Sequence, residues 1–160
     1  MGDGEFRAPT GIVLDKDGCI YVADTDNHSI QKFDKDGKFL ARWGGDPSGQ
    51  EGQFYYPRGI AIGSNGEVYI SDSGNNRIQR FDAEGHLMQA WGKFGFAWRG
   101  ADMGKFDVPW GVATDRDGNL YVTDTSNSRV QKFKADGTPR SKWTVTSAGF
   151  DGVRLTARVI

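Results

Sequence analysis

The stretch PRGIAIGSNGEVYISDSGNNRIQRF, residues 57–81, decides how this chain is read. Its opening Pro57-Arg58-Gly59 has counterparts in Pro9-Thr10-Gly11 and Pro109-Trp110-Gly111. Each copy closes on a tryptophan at the same spacing: Pro9 to Trp43, Pro57 to Trp91 and Pro109 to Trp143. Between these ends the landmarks keep fixed offsets. Tyr21, Tyr69 and Tyr121 correspond, as do Asp24, Asp72 and Asp124, Asn27, Asn75 and Asn127, Gln31, Gln79 and Gln131, and Phe33, Phe81 and Phe133. A constant period of this size marks a repeat architecture, in which no unit buries its apolar face alone.

Punctuation inside the period predicts four short strands per copy. A first apolar strand (Gly11 to Asp15, Gly59 to Gly63, Gly111 to Asp115) runs into Asp17-Gly18, Asn65-Gly66 or Asp117-Gly118. Such pairs predict a two-residue hairpin turn with positive φ angles. The second strand is β-branched and aromatic on both faces: Ile20-Tyr21-Val22-Ala23-Asp24, Val68-Tyr69-Ile70-Ser71-Asp72 and Leu120-Tyr121-Val122-Thr123-Asp124. It reads as a strand covered on both sides. After a polar turn the third strand alternates, Ile30 and Lys32 against Gln31 and Phe33. A further turn at Asp36-Gly37, Glu84-Gly85 or Asp136-Gly137 leads to the most polar strand, which is expected outermost. Four antiparallel strands, buried inside and wet outside, describe a propeller blade.

These residues resemble the NHL repeat. The family pattern of Pro-x-Gly, a short apolar strand, a Gly turn, "YVAD", an Asn-rich turn and "RIQ-F-D" is met almost in full. Gly74 to Gln79 matches it letter for letter and Asn127 to Gln131 nearly so, while His28-Ser29 departs from the usual Asn-Arg. The resemblance covers residues 4 to 143 and implies a β-propeller, usually of six blades.

The expected fold is therefore an all-β propeller of four-stranded antiparallel blades, at about residues 4–44, 52–92 and 104–143. Propellers close with roughly four to eight blades, so three leave two open faces. Open apolar faces are sticky, and a second copy would make six. A homodimeric head-to-tail ring is the expectation. A fragment of a longer protein, or an engineered half-propeller, is the competing explanation. Beyond Trp143 the pattern breaks, and Val153 to Ile160 alternates as a half-buried strand, read as an edge or clasp.

With 160 residues the chain is long enough for one domain with a real core. A net charge of −1 argues against a general attraction to nucleic acid or an anionic membrane. No run is apolar enough for a membrane span. Met1 to Glu5 shows no apolar leader, so a soluble, cytoplasmic protein is expected. Cys19, the only cysteine, reads as a small buried hydrophobe.

Chemistry is expected in the connections between blades, where all the length variation lies. The resemblance implies that these loops, and those joining second to third strands, crowd one face around the channel. The connection from Trp91 to Pro109 is the longer and carries Trp98 and Arg99; the one from Trp43 to Pro57 carries Phe54, Tyr55 and Tyr56. Thr10, Arg58 and Trp110 occupy one repeat position yet differ. Aromatics with Arg are binding hot-spot residue types. The candidate ligand-binding set is Arg58, Trp98, Arg99, Trp110, Tyr55 and Tyr56; Phe6, Phe54 and Phe106 read as packing.

Other constellations read as structural. Asp15-Lys16-Asp17-Gly18 and its counterparts resemble calcium-loop fragments but lack the remaining ligands, and turns need the same residues. Asp24, Asp72 and Asp124 recur at one offset, as anchors for turn N–H groups or the nearby Arg77 and Arg129 would. His28 and His86 lie at different offsets and outside metal-ligand spacings. No catalytic residue, metal site or cofactor is assigned. The expected function is a non-enzymatic recognition scaffold binding a protein, peptide or small ligand. The alternatives are a metal-assisted lyase or hydrolase site in the channel, or single-stranded RNA binding through stacked aromatics.

Overall fold

A computed structural model describes residues 2–92 and 102–144. The first sheet holds β1 (Pro9–Leu14), β2 (Ile20–Asp24), β3 (Ser29–Phe33) and β4 (Phe39–Gly44). The second holds β5 (Pro57–Ile62), β6 (Val68–Asp72), β7 (Arg77–Phe81) and β8 (Leu87–Trp91). The third holds β9 (Pro109–Thr114), β10 (Leu120–Asp124), β11 (Arg129–Phe133) and β12 (Pro139–Thr144). Strands pair antiparallel in chain order within every sheet. The first strands β1, β5 and β9 approach one another, and the fourth strands lie at the outer edges. This is the all-β propeller architecture, three blades side by side.

The core lies between blades. Tyr21, Ala23, Ile30 and Trp43 of the first blade cluster with Ile60, Ile70 and Phe81 of the second. Tyr69, Ile78 and Trp91 cluster in turn with Phe106, Val122 and Phe133 of the third. The middle strand β6 serves both clusters, Tyr69 on one side and Val68 and Ile70 on the other. That accounts for its lack of a polar face. Burying one large apolar side chain is worth about 1.5–3 kcal/mol, so a blade's stability comes mostly from its neighbours.

Two details differ from the sequence reading. The first hairpin turn is not the two-residue type. Gly18 N–H returns to Asp15 O at 3.1 Å, Asp15 N–H reaches Cys19 O, and of the turn residues only Gly18 has positive φ (83°). This is a longer turn ending in a left-handed glycine, the form that needs one such residue rather than two. Asp15 selects it, because Oδ1 accepts both Asp17 N–H and Cys19 N–H at 2.9 Å. The first strands also start earlier, at the prolines, with a register break between Pro9 and Ile12 or Pro57 and Ile60. On the alternating third strands, Gln31, Gln79 and Gln131 are fully buried. The expected strand after Trp143 lies outside the described residues. Among those described, no helix is long and apolar enough to cross a membrane.

Candidate functional site

Thr10, Arg58 and Trp110 sit where each first strand begins, and the blade before holds the backbone carbonyls of Arg58 and Trp110. Thr10 Oγ1 donates to Arg58 O at 3.1 Å. Ser71 Oγ donates to Trp110 O at 2.6 Å and accepts Gly59 N–H at 2.7 Å. So placed, the Arg58 guanidinium lies over the Trp110 ring, 4.1 Å from its centroid. Trp110 remains 45% exposed, so a large apolar surface is offered to solvent beside the Arg58 cation. An exposed cation–π contact is worth about 0.5–1 kcal/mol, enough to bias the guanidinium's direction but not to lock it.

The tyrosines form a neighbouring cluster around His28, a residue the sequence analysis left outside the candidate ligand-binding set. His28 stacks on Tyr55 with ring centroids 5.3 Å apart and meets the edge of Tyr56 at 4.7 Å. Its Nδ1 accepts Tyr56 N–H at 3.1 Å. Tyr56 has φ of 51°, a left-handed conformation that this acceptor helps to hold. Burial pushes the His28 pKa below 6.5; Asp26 and Asp72 pull it up, Arg7 down. The signal for His28 was its departure from the Asn-Arg pattern. Asn76, its counterpart, accepts Val108 N–H at 2.7 Å in the same way.

Beneath these loops each blade buries one carboxylate. Asp72 accepts Tyr55 N–H (2.7 Å), Asn75 Nδ2 (2.9 Å), Gln79 Nε2 (3.1 Å) and Arg77 Nε (2.6 Å). Asp124 takes the corresponding set from Asp107, Asn127, Arg129 and Gln131. Asp24 lacks the arginine, since Ser29 stands in that place. Burial drives the Asp72 pKa above its ordinary value, against the pull of these donors. With their oxygens occupied by turn and strand donors, these aspartates tie each loop to its blade.

The structure thus brings Arg58 and Trp110 together, and separately Tyr55 and Tyr56. Trp98 and Arg99 lie outside the described residues. Phe54 and Phe106 are fully buried between blades, as packing requires, whereas Phe6 is 44% exposed. In the aspartate-rich turns the first carboxylate serves the turn itself, as Asp115 accepts Asp117 N–H, Asn119 N–H and the Tyr121 O–H, while the second, as at Asp17 and Asp36, stays exposed beside a lysine.

A family model, the NHL repeat, matches residues 6–33, 54–81 and 106–133, together more than half of the chain. B-box type zinc finger protein ncl-1 of Caenorhabditis elegans is 51% identical over 37 residues, covering 23% of this chain and 4% of that protein. Protein brain tumor of Drosophila melanogaster is 45% identical over 42 residues (26% and 4%). E3 ubiquitin-protein ligase TRIM71 of Xenopus tropicalis is 51% identical over 43 residues (27% and 5%). The matched segments are thus a small part of each of these relatives. Among solved structures, one of a nidogen/laminin complex superposes with a TM-score of 0.66 at 19% identity, covering 90% of this chain and 50% of that one. A streptogramin B lyase superposes with a TM-score of 0.64 at 19% identity (86% and 40%). A catalytically inactive virginiamycin B lyase from Staphylococcus aureus with quinupristin gives 0.66 at 17% (88% and 42%). At these identities the likeness is one of fold.

Proposed function

The chain belongs to the NHL-repeat family, and from that premise we propose that it is a non-enzymatic recognition module whose loop face captures a peptide segment of another protein. The observation that supports this is the Arg58–Trp110 pair. Two unlike residues at one repeat position stack on each other, at the start of the inner strands, with the indole half exposed. A carboxylate would be drawn to the guanidinium while an apolar side chain lies against the indole. The favoured ligand is therefore a segment presenting Asp or Glu next to an apolar residue. Tyr55, 40% exposed, extends the same loop face. The lyase neighbours share the architecture at 17–19% identity, which carries no chemistry to these residues.

Immobilised peptides pairing a carboxylate with an apolar neighbour, set against amide-substituted counterparts, test the reading. The wild-type chain is expected to retain the acidic set. Arg58→Ala and Trp110→Ala should each weaken retention by about tenfold or more, the effect of losing one hot-spot contact. Circular dichroism should show unchanged β-structure in both. Equal binding to the amide set, or unfolding of either variant, would remove the assignment.

A further inference from the structure

We propose that a second copy of this chain docks head to tail on the first, so that two copies close one ring of six blades. This pairing is independent of the loop-face reading. It rests on the contrast between the two junctions inside the chain and the two faces left at its ends.

Both internal junctions use the same parts. A tryptophan from the outer strand of one blade sits on a turn glycine of the next: Trp43 on Gly85 and Trp91 on Gly137. A Cβ at Gly85 would run into the Trp43 indole, and one at Gly137 would crowd the Trp91 indole. The third pair is split between the ends. Trp143 is 50% exposed, whereas Trp43 is 7% exposed, and among the described residues a Cβ at Gly37 would meet nothing within 4 Å. One knob and one socket remain, at opposite ends of the same molecule.

The inner strands repeat this pattern. A Cβ at Gly11 would strike Arg58 O, and one at Gly59 would strike Trp110 O, so those glycines permit close approach. Gly111 holds the same place, and among the described residues a Cβ there would meet only Thr123 of its own blade. Apolar residues behave likewise. Ile60 is 7% exposed and Phe54 is fully buried against the first blade, while their counterparts Ile12 and Phe6 are 65% and 44% exposed.

Polar groups add direction. Thr25 Oγ1 donates to Pro57 O at 2.7 Å and Ser73 Oγ donates to Pro109 O, each from one blade to the next. His28 and Asn76 accept the N–H of Tyr56 and Val108, both left-handed. The third set is again divided. Thr125 and Ser128 stand exposed at one end; Pro9 and the left-handed Ala8 (φ 49°) stand exposed at the other.

A face offering a tryptophan and hydroxyls fits one offering an empty glycine turn, a carbonyl and a waiting N–H. Neither face fits itself. In the ring, Trp143 seats on Gly37 of the partner subunit, Thr125 donates to Pro9 of the partner subunit, and Ser128 receives Ala8 of the partner subunit. The two-fold operation makes the second junction identical to the first. Ring closure also places Trp110 beside Thr10 of the partner subunit, so the channel mouth is completed by both copies.

Native mass of the full chain tests this. The expected particle has twice the 17.6 kDa of one chain. Ile12→Asp and Trp143→Glu should each yield monomers with wild-type β-sheet circular dichroism, with Leu14→Glu standing in if Ile12→Asp fails to fold. An equal mixture of the two variants should recover a two-chain particle, because one of its junctions has both faces intact. A monomeric wild type would overturn the proposal and leave these faces to residues 145–160 or to another polypeptide. Dissociation by only one class of variant would overturn it in favour of a face-to-face pair. Particles of three or more chains, or no recovery on mixing, would overturn it as well.

Discussion

Side chains at one repeat position do the same work with different chemistry, and for His28 and Asn76 the difference is sensitivity to pH. Both accept an N–H from a left-handed residue of the next blade. Asn76 does so at any pH, whereas His28 does so only while Nδ1 is unprotonated. Burial favours that neutral form and lowers the folded-state pKa below 6.5, the opposing influences being Asp26 and Asp72. A depressed histidine pKa means that the unfolded chain binds more protons just below pH 6.5, so stability falls as pH drops through that region. Urea unfolding between about pH 7 and 5 should show this loss in the wild type, since histidine alone among unperturbed side chains titrates there. His28→Asn should remove most of it, because asparagine supplies the acceptor without the titration. An unchanged slope in that variant would assign the dependence to another group. The sequence showed His28 only as a departure from a pattern. Its role needed the neighbouring blade, which spacing does not reveal.

Strands and loops are joined by the buried carboxylates, and the repeats differ in how costly each joint is to break. Asp72 holds Tyr55 N–H, Asn75, Gln79 and the nearly buried Arg77. Removing it leaves a guanidinium without its counter-charge in a dry place, a loss of about 3–5 kcal/mol. Asp24 holds only neutral donors, for which the loss is nearer about 1–3 kcal/mol. Asp72→Ala should therefore lower the urea midpoint clearly more than Asp24→Ala; equal losses would show that the Arg77 pair contributes little. Strand number, order and the burial of β6 on both faces were legible because they derive from period and residue type. The turn after β1 was not, since Asp-Gly serves two turn types and the choice rests on Asp15 Oδ1 reaching two backbone N–H groups. Likewise, the shared position of Arg58 and Trp110 marked them as candidates, but their stacking depends on how closely β5 and β9 approach.

For the molecule as a whole, stability and association are one quantity if the end faces are half-junctions. Inside the chain, each junction covers a tryptophan, an inner-strand glycine and a set of apolar strand residues; at the ends the same parts stand open. Joining two copies would bury two further junctions of the kind that already holds neighbouring blades together. Anything that binds the folded state alone raises apparent stability with its concentration, here the concentration of the chain itself. A roughly hundredfold rise in concentration should add about 2.7 kcal/mol to the apparent stability of a folded particle coupled in this way. The urea midpoint, followed by tryptophan emission because Trp143 would move from solvent into a junction, should shift upward accordingly. Ile12→Asp should lie lower and stay fixed across the same range, since its open face cannot dock. A wild-type midpoint indifferent to concentration would mean that three blades stand alone, with Ile12 and Trp143 as ordinary surface.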